Sequence, residues 1–100
     1  MRIITVATLK QFWQIYPDAE QPLKAWIAMI KKLSWNNPSD IKTTFRNASI
    51  LKNNRVVFNI KGNHYRLIVK VIYLRKAIYV KFIGIHQQYD LIDADNVELF

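Results

Sequence analysis

The apolar positions of this chain follow two different periods. Toward the N-terminus Leu9, Phe12, Trp13 and Tyr16, then Leu23, Trp26, Ile27, Ile30 and Leu33, recur at helical spacing, whereas from Arg55 onward apolar and polar residues alternate. A weaker alternation over Arg2 to Val6, rich in β-branched residues, predicts a short first strand. Thr8 and Gln11 have the spacing of a capping box and predict the start of a first helix, which Pro17 ends. Pro22 suits the first turn of a second helix, and Lys31 and Lys32 near its C-terminus complement the helix dipole. Asn36-Asn37-Pro38-Ser39 stops that helix, and Asp40 to Asn54 reads as a loop with a short helical turn expected near Ile41 to Phe45. Strands follow at Arg55 to Ile60, Tyr65 to Leu74 and Ala77 to Ile83, joined by Lys61-Gly62-Asn63-His64, where Asn63 tolerates left-handed backbone, and by a tight turn at Arg75-Lys76.

The order β-α-α-β-β-β predicts an α+β fold in which a helical hairpin packs on one face of a small, mainly antiparallel twisted sheet. A single domain spanning 1–100 is expected, because a chain of 100 residues can bury one core but not two. In the central strand Tyr65, Leu67, Val69, Val71 and Tyr73 share one face, and Arg66, Ile68, Lys70 and Ile72 share the other. The flanking strands repeat the division. Val56, Phe58 and Ile60 oppose Arg55, Val57 and Asn59; Ile78, Val80 and Phe82 oppose Tyr79 and Lys81. If the apolar faces meet the helices, Arg55, Asn59, Arg66, Lys70, Tyr79 and Lys81 line the uncovered face.

Charge makes that parity informative. The net charge is +8, and between Ile41 and Tyr89 there is no acidic residue, while Lys42, Arg46, Lys52, Arg55, Lys61, Arg66, Lys70, Arg75, Lys76 and Lys81 all fall there. Basic residues aligned on one face of a sheet point to a polyanion, with nucleic acid the usual one; scattered around the strands they would only solubilise the surface. The absence of cysteine excludes disulfides and thiolate metal sites and agrees with a reducing cytoplasm. The N-terminal apolar run is too short for a signal peptide, and no stretch is long enough for a membrane span.

The segment Val57-Phe58-Asn59-Ile60-Lys61-Gly62-Asn63-His64-Tyr65-Arg66-Leu67, with Tyr79-Val80-Lys81-Phe82-Ile83-Gly84-Ile85-His86-Gln87-Gln88-Tyr89-Asp90 after it, resembles the HigB branch of the RelE toxin superfamily. The resemblance extends over nearly the whole chain. Its specific part is the order of a strand ending in Phe-Asn, a Gly-Asn turn, Tyr-Arg-Leu opening the next strand, and His-x-x-Tyr-Asp after the last. It implies the toxin of a toxin-antitoxin pair, an endoribonuclease that cleaves mRNA on the ribosome. It also implies a HigA-like helix-turn-helix antitoxin as partner, operator DNA reached only through that antitoxin, no membrane, and neither metal nor cofactor.

The implied reaction is attack of a ribose 2′-hydroxyl on the adjacent phosphate, which requires a base, an acid and cations around the phosphorane. Arg66 is the candidate phosphate clamp, since a guanidinium binds two phosphate oxygens and keeps its charge; the alternative is a solvated strand arginine. His86 is either the proton carrier or a hydrogen-bonded strand-end residue. Tyr89 is placed to stack on a base or hydrogen-bond phosphate, and Asp90 to orient His86 or cap the next turn. Arg55, Lys70, Tyr79 and Lys81 are candidates for holding the RNA backbone, and each of the cations is equally readable as plain surface charge. His64 reads as a turn residue, and Asn59 and Asn63 as supports of the hairpin. Two other functions compete. A non-catalytic RNA-binding or ribosome-associated module would show the same basic block, but needs no titratable group beside Arg66. A DNA-binding regulator is disfavoured because the basic residues lie on strands, with no glycine-hinged recognition helix.

Overall fold

A computed structural model describes residues 1–98, so the last two residues of the expected span 1–100 lie outside the described ones. The elements are β1 (Arg2–Ile4), α1 (Val6–Ile15), a 3-10 turn (Pro17–Ala19), α2 (Glu20–Lys32), α3 (Pro38–Thr44), β2 (Ser49–Ile50), β3 (Arg55–Ile60), β4 (Tyr65–Ile72), a second 3-10 turn (Tyr73–Arg75), β5 (Ala77–Ile85) and α4 (His86–Tyr89). They form one five-stranded sheet in the order β1-β5-β4-β3-β2. Only β1 runs parallel to its neighbour, β5; the other pairs are antiparallel. The helical hairpin of α1 and α2 packs on one face, as the apolar stripes require: Leu9, Phe12, Leu23, Trp26 and Ile30 are buried against Val56, Phe58, Leu67, Val69, Val71, Ile78 and Val80. Trp13, on the expected stripe, is only half-buried and lies beneath Lys24, 5.6 Å from ammonium to ring centroid.

Several local expectations change. Thr5 takes left-handed backbone (φ 76°), which ends β1 at Ile4 and starts α1 at Val6, so Thr8 lies inside the first turn instead of capping it. The Asn37-Pro38 pair starts a helix as well as stopping one: Asn37 accepts a side-chain hydrogen bond from the Asp40 amide, and Pro38 occupies the first helical position. In the hairpin after β3 the left-handed residues are Lys61 and Gly62, not Asn63. Strand β4 stops at Ile72 because the chain turns through Tyr73–Arg75 and a left-handed Lys76, leaving Leu74 fully exposed.

The largest correction lies in β5. The ladder pairs Val69 with Val80 but Ile68 with Phe82, so Lys81 is an extra, bulged residue. A bulge shifts the alternation by one. Phe82, expected in the core, therefore sits opposite Ile68 on the far face, and Ile83, opposite Leu67, packs against the core in its place.

A three-residue lock fastens the helical layer to the start of β4. Asp18, in the first 3-10 turn, accepts hydrogen bonds from the Tyr65 hydroxyl and from Lys61 Nζ, the latter at 2.6 Å. The Lys61 hydrogen bond, followed by that of Tyr65, holds the Asp18 carboxyl below its ordinary 3.8, while burial and then the Asp18 bond push the Tyr65 hydroxyl up to about 12. An acid whose folded pKa is depressed stabilises the fold above its unfolded pKa, and that stability is lost as pH falls through the folded value. Asp18→Asn is accordingly expected to be less stable than the wild type at neutral pH, with the gap closing as urea denaturation is repeated below pH 4. A gap that stayed constant with pH would show that the carboxylate charge contributes nothing.

Candidate nucleic-acid interface

Directly paired residues share a face, so the register settles which cations stand together. Arg55 pairs with Lys70, Asn59 with Arg66, and Lys70 with Tyr79, all on the side away from α1 and α2. Lys81 joins them through the bulge: Lys70, Ile72, Arg75, Tyr79 and Lys81 line an open cleft of about 300 Å³, with Lys81 Nζ 6.0 Å from the centroid of the Tyr79 ring. Arg75 was not among the candidates from sequence; its place in the basic block was the available signal, but the 3-10 turn that brings it to the cleft was not legible.

The face is not uncovered along its whole length. After α4 the chain crosses back over it, and Arg55, only 4% exposed, is consumed by that crossing. Its Nη1 donates to the carbonyls of Ala94 (3.3 Å) and Val97 (2.6 Å), and its Nη2 to Glu98 Oε1 (2.8 Å). Val57 and Ile68 on this face are also buried. Arg55 is thus a tether for the C-terminal segment, not an exposed cation. The other Glu98 oxygen accepts from Lys81 Nζ at 2.8 Å. That hydrogen bond, more than the arginine, holds the Glu98 carboxyl below its ordinary range. Lys81 reaches the cleft already paired to a carboxylate; no partner is recorded for Lys70 among the described residues.

The residues with chemical potential gather at the other end of β4, roughly 13 Å from Lys70 along the strand. Arg66 lies opposite Gly84, the residue before the last of β5, and α4 starts two residues beyond that pair. The Arg66 guanidinium donates from Nη1 to the Asn63 carbonyl at 3.0 Å and lies over the Tyr89 ring, 5.7 Å from its centroid, a separation at which a cation is attracted to the ring face. The remaining guanidinium donors have no protein partner among the described residues. One turn of α4 places His86 Nδ1 3.5 Å from Asp90 Oδ1, with side chains 50% and 61% exposed. Asp90 can therefore orient a protonated imidazole, and both remain accessible to a ligand. Arg66 meets Tyr89, and His86 meets Asp90 within and just after the same short helix; Lys70, Tyr79 and Lys81 stand farther along the sheet face that carries Arg66. His64 stays apart, its Nδ1 on the Lys61 carbonyl of its own turn. Among the described residues no group of three or more His, Cys, Asp or Glu side chains is arranged to hold a metal, and no helix is long and apolar enough to cross a membrane.

Residues 19–92 match the HigB toxin family, described as the RelE-like toxic component of a toxin-antitoxin system. The chain belongs to this family. It is similar to the mRNA interferase HigB of Escherichia coli O6:H1 strain CFT073, with 29% identity over 92 residues, 90% of this chain and 89% of that protein. It is also similar to the mRNA interferase toxin HigB of Escherichia coli K12 and the mRNA interferase HigB of Shigella flexneri, each 28% identical over 96 residues, 94% of this chain and 92% of the relative. A HigB toxin has an antitoxin as partner by the definition of its system.

Gly84 decides whether α4 can dock where it does. A Cβ there would lie 2.6 Å from the Phe82 ring and 2.7 Å from Gln88 Oε1, and that oxygen is the acceptor capping the Ile85 amide at 3.0 Å. Gly84→Ala must displace the ring, the cap or both. The expected loss is about 1 to 2 kcal/mol in chemical denaturation, with weaker protection of the α4 amides in hydrogen exchange. An unchanged midpoint and unchanged protection would show that α4 is held by something else.

Proposed function

We propose that the chain is a ribosome-dependent mRNA endoribonuclease that arrests translation, acting in the cytoplasm and silenced by a HigA-like helix-turn-helix antitoxin. Its relatives are named mRNA interferases, and the observation that carries the reading is the convergence of Arg66, Tyr89 and the His86–Asp90 pair at one end of a basic sheet face. In the proposed reaction a ribose 2′-oxygen attacks the neighbouring phosphorus as its proton passes to a base. The bond to the 5′-oxygen breaks, and that oxygen takes a proton from an acid, leaving a 2′,3′-cyclic phosphate and a 5′-hydroxyl. The scheme is drawn without a metal, its charge met by the cations of the face and its proton carried by His86.

Arg66 holds the phosphate. One donor is anchored on the Asn63 carbonyl and the ring of Tyr89 lies beneath the guanidinium, so the fork is fixed before substrate arrives and costs little reorganisation when charge develops on the phosphorane. His86 moves the proton, with Asp90 orienting the imidazole. Tyr89, half-buried beside Arg66, is proposed to stack on a base. Lys70, Tyr79 and Lys81 hold the RNA strand farther along, and RNA phosphate competes with Glu98 for Lys81.

Comparing variants in mRNA cleavage on ribosomes separates an enzyme from a binder. Arg66→Ala should lower the rate for bound substrate by roughly 100- to 1,000-fold, about 2.7 to 4 kcal/mol, and His86→Ala by roughly 100-fold. Lys70→Ala should mainly weaken association and reduce its salt dependence by about one phosphate contact. Parallel losses of affinity in folded variants, with no change in the rate for bound substrate, would make the face a non-catalytic RNA-binding surface.

A further inference from the structure

A second cleft opens beside Arg66, on the edge of the sheet. It has a volume of about 430 Å³, and its lining includes Phe45, Arg46, Asn47, Asn59 and Asn63. Strand geometry fixes what its β3 wall offers. The Val71 amide bonds the Asn54 carbonyl and the Leu51 amide bonds the Arg55 carbonyl, so even-numbered residues of β3 turn their backbone groups toward β4 and odd-numbered ones toward β2. Strand β2 covers only Val56 and Val57. The Asn59 N–H and C=O therefore point out of the sheet edge where no strand continues, and among the described residues no backbone partner meets either. Asn59 also forms with Arg66 a pair of the kind whose side chains stand closest across the ladder.

The opposite wall is held rigid. Lys42 Nζ donates to the carbonyls of Arg46 (2.7 Å) and Ala48 (2.8 Å), clamping the loop between α3 and β2. Phe45 packs edge-on against Phe58 with centroids 5.0 Å apart. The result is a preformed slot with an aromatic side, a backbone donor and acceptor side by side, and exposed amides at its rim. It is contiguous with Arg66 through Asn63, whose carbonyl anchors the guanidinium.

We propose that this cleft binds one unstacked nucleobase of the RNA strand, next to the phosphate held by Arg66, and sets the base preference of cleavage at that position. The proposal rests on the nuclease reading above. Every nucleobase carries an adjacent donor and acceptor on its pairing edge, complementary to a backbone C=O and N–H, and single-stranded RNA is read by such edge contacts together with stacking. The Asn59 amide and the rim residues Arg46 and Asn47 discriminate among bases that share this pattern, because a base that leaves a desolvated partner unpaired loses affinity.

The test maps RNA ends after brief induction of the wild type, Asn59→Pro, Asn59→Ala, Asn47→Ala and Arg66→Ala. Proline removes the Asn59 N–H and is tolerated at a sheet edge whose amide faces outward; circular dichroism checks folding, and the two alanine variants carry the test if proline unfolds the protein. The wild type should prefer one base at a fixed position by roughly 5- to 100-fold. The folded cleft variants should flatten that preference while still cutting, and Arg66→Ala should lose cuts at all sites alike. A preference that survives in the cleft variants, or a wild type that cuts without one, overturns the cleft proposal and leaves the nuclease reading standing. A wild type that makes no cuts overturns the nuclease reading, and the cleft assignment falls with it.

Discussion

Strand β4 is the constraint on which the rest of the molecule depends. Tyr65, Leu67, Val69 and Val71 must be buried together, and α1 and α2 bury them; the two-residue repeat of an extended chain then leaves Arg66 and Lys70 no choice but the other face. The flanking strands are in register with this division, so burial on one side concentrates positive charge on the other without any direct attraction among the cations. Repulsion between them is tolerated because the face is open to water over Lys70 and Arg66, and the Glu98 carboxylate shared by Arg55 and Lys81 offsets one of their two charges.

The two ends of that face are held by different means. At one end Arg55 is spent on structure: a buried guanidinium needs its hydrogen bonds filled, and the carbonyls of Ala94 and Val97 fill them by drawing the C-terminal segment across the sheet. At the other end the chain turns into α4 two residues after a buried glycine, and the absence of a side chain at Gly84 lets Phe82 and Gln88 close over the backbone beside Arg66. The chemistry-bearing groups thus occupy the end that the tail does not cover. The family assignment and the basic face enter independently, one from similarity over residues 19–92 and the other from register.

Much of this was legible in the sequence because periodicity and parity report burial directly. Strand β3 falls where alternation predicts it, and the shared face of Arg66, Lys70 and Tyr79 follows from counting by twos. What was not legible has physical causes. A bulge adds one residue without a compositional mark, which moved Phe82 to the face opposite that expected and put Ile83 against the core, though Lys81 stayed on the basic side. The burial of Arg55 depends on a contact across about 40 residues of sequence, from Arg55 to Ala94 and beyond, which no local pattern encodes. Strand β2, two residues long, is too short to show a period at all. The convergence of Arg66 with Tyr89 was foreseeable as neighbourhood but not as a stacked pair, since it requires the turn of α4.

Side chains on this face are proposed to drive attack by the ribose 2′-hydroxyl. The most direct measurement is the chemistry of the RNA ends left by the purified protein acting on translating ribosomes. A 2′,3′-cyclic phosphate on the upstream fragment and a 5′-hydroxyl on the downstream one are predicted. A 3′-hydroxyl with a 5′-phosphate would mean that water or another nucleophile attacks, and would contradict the account.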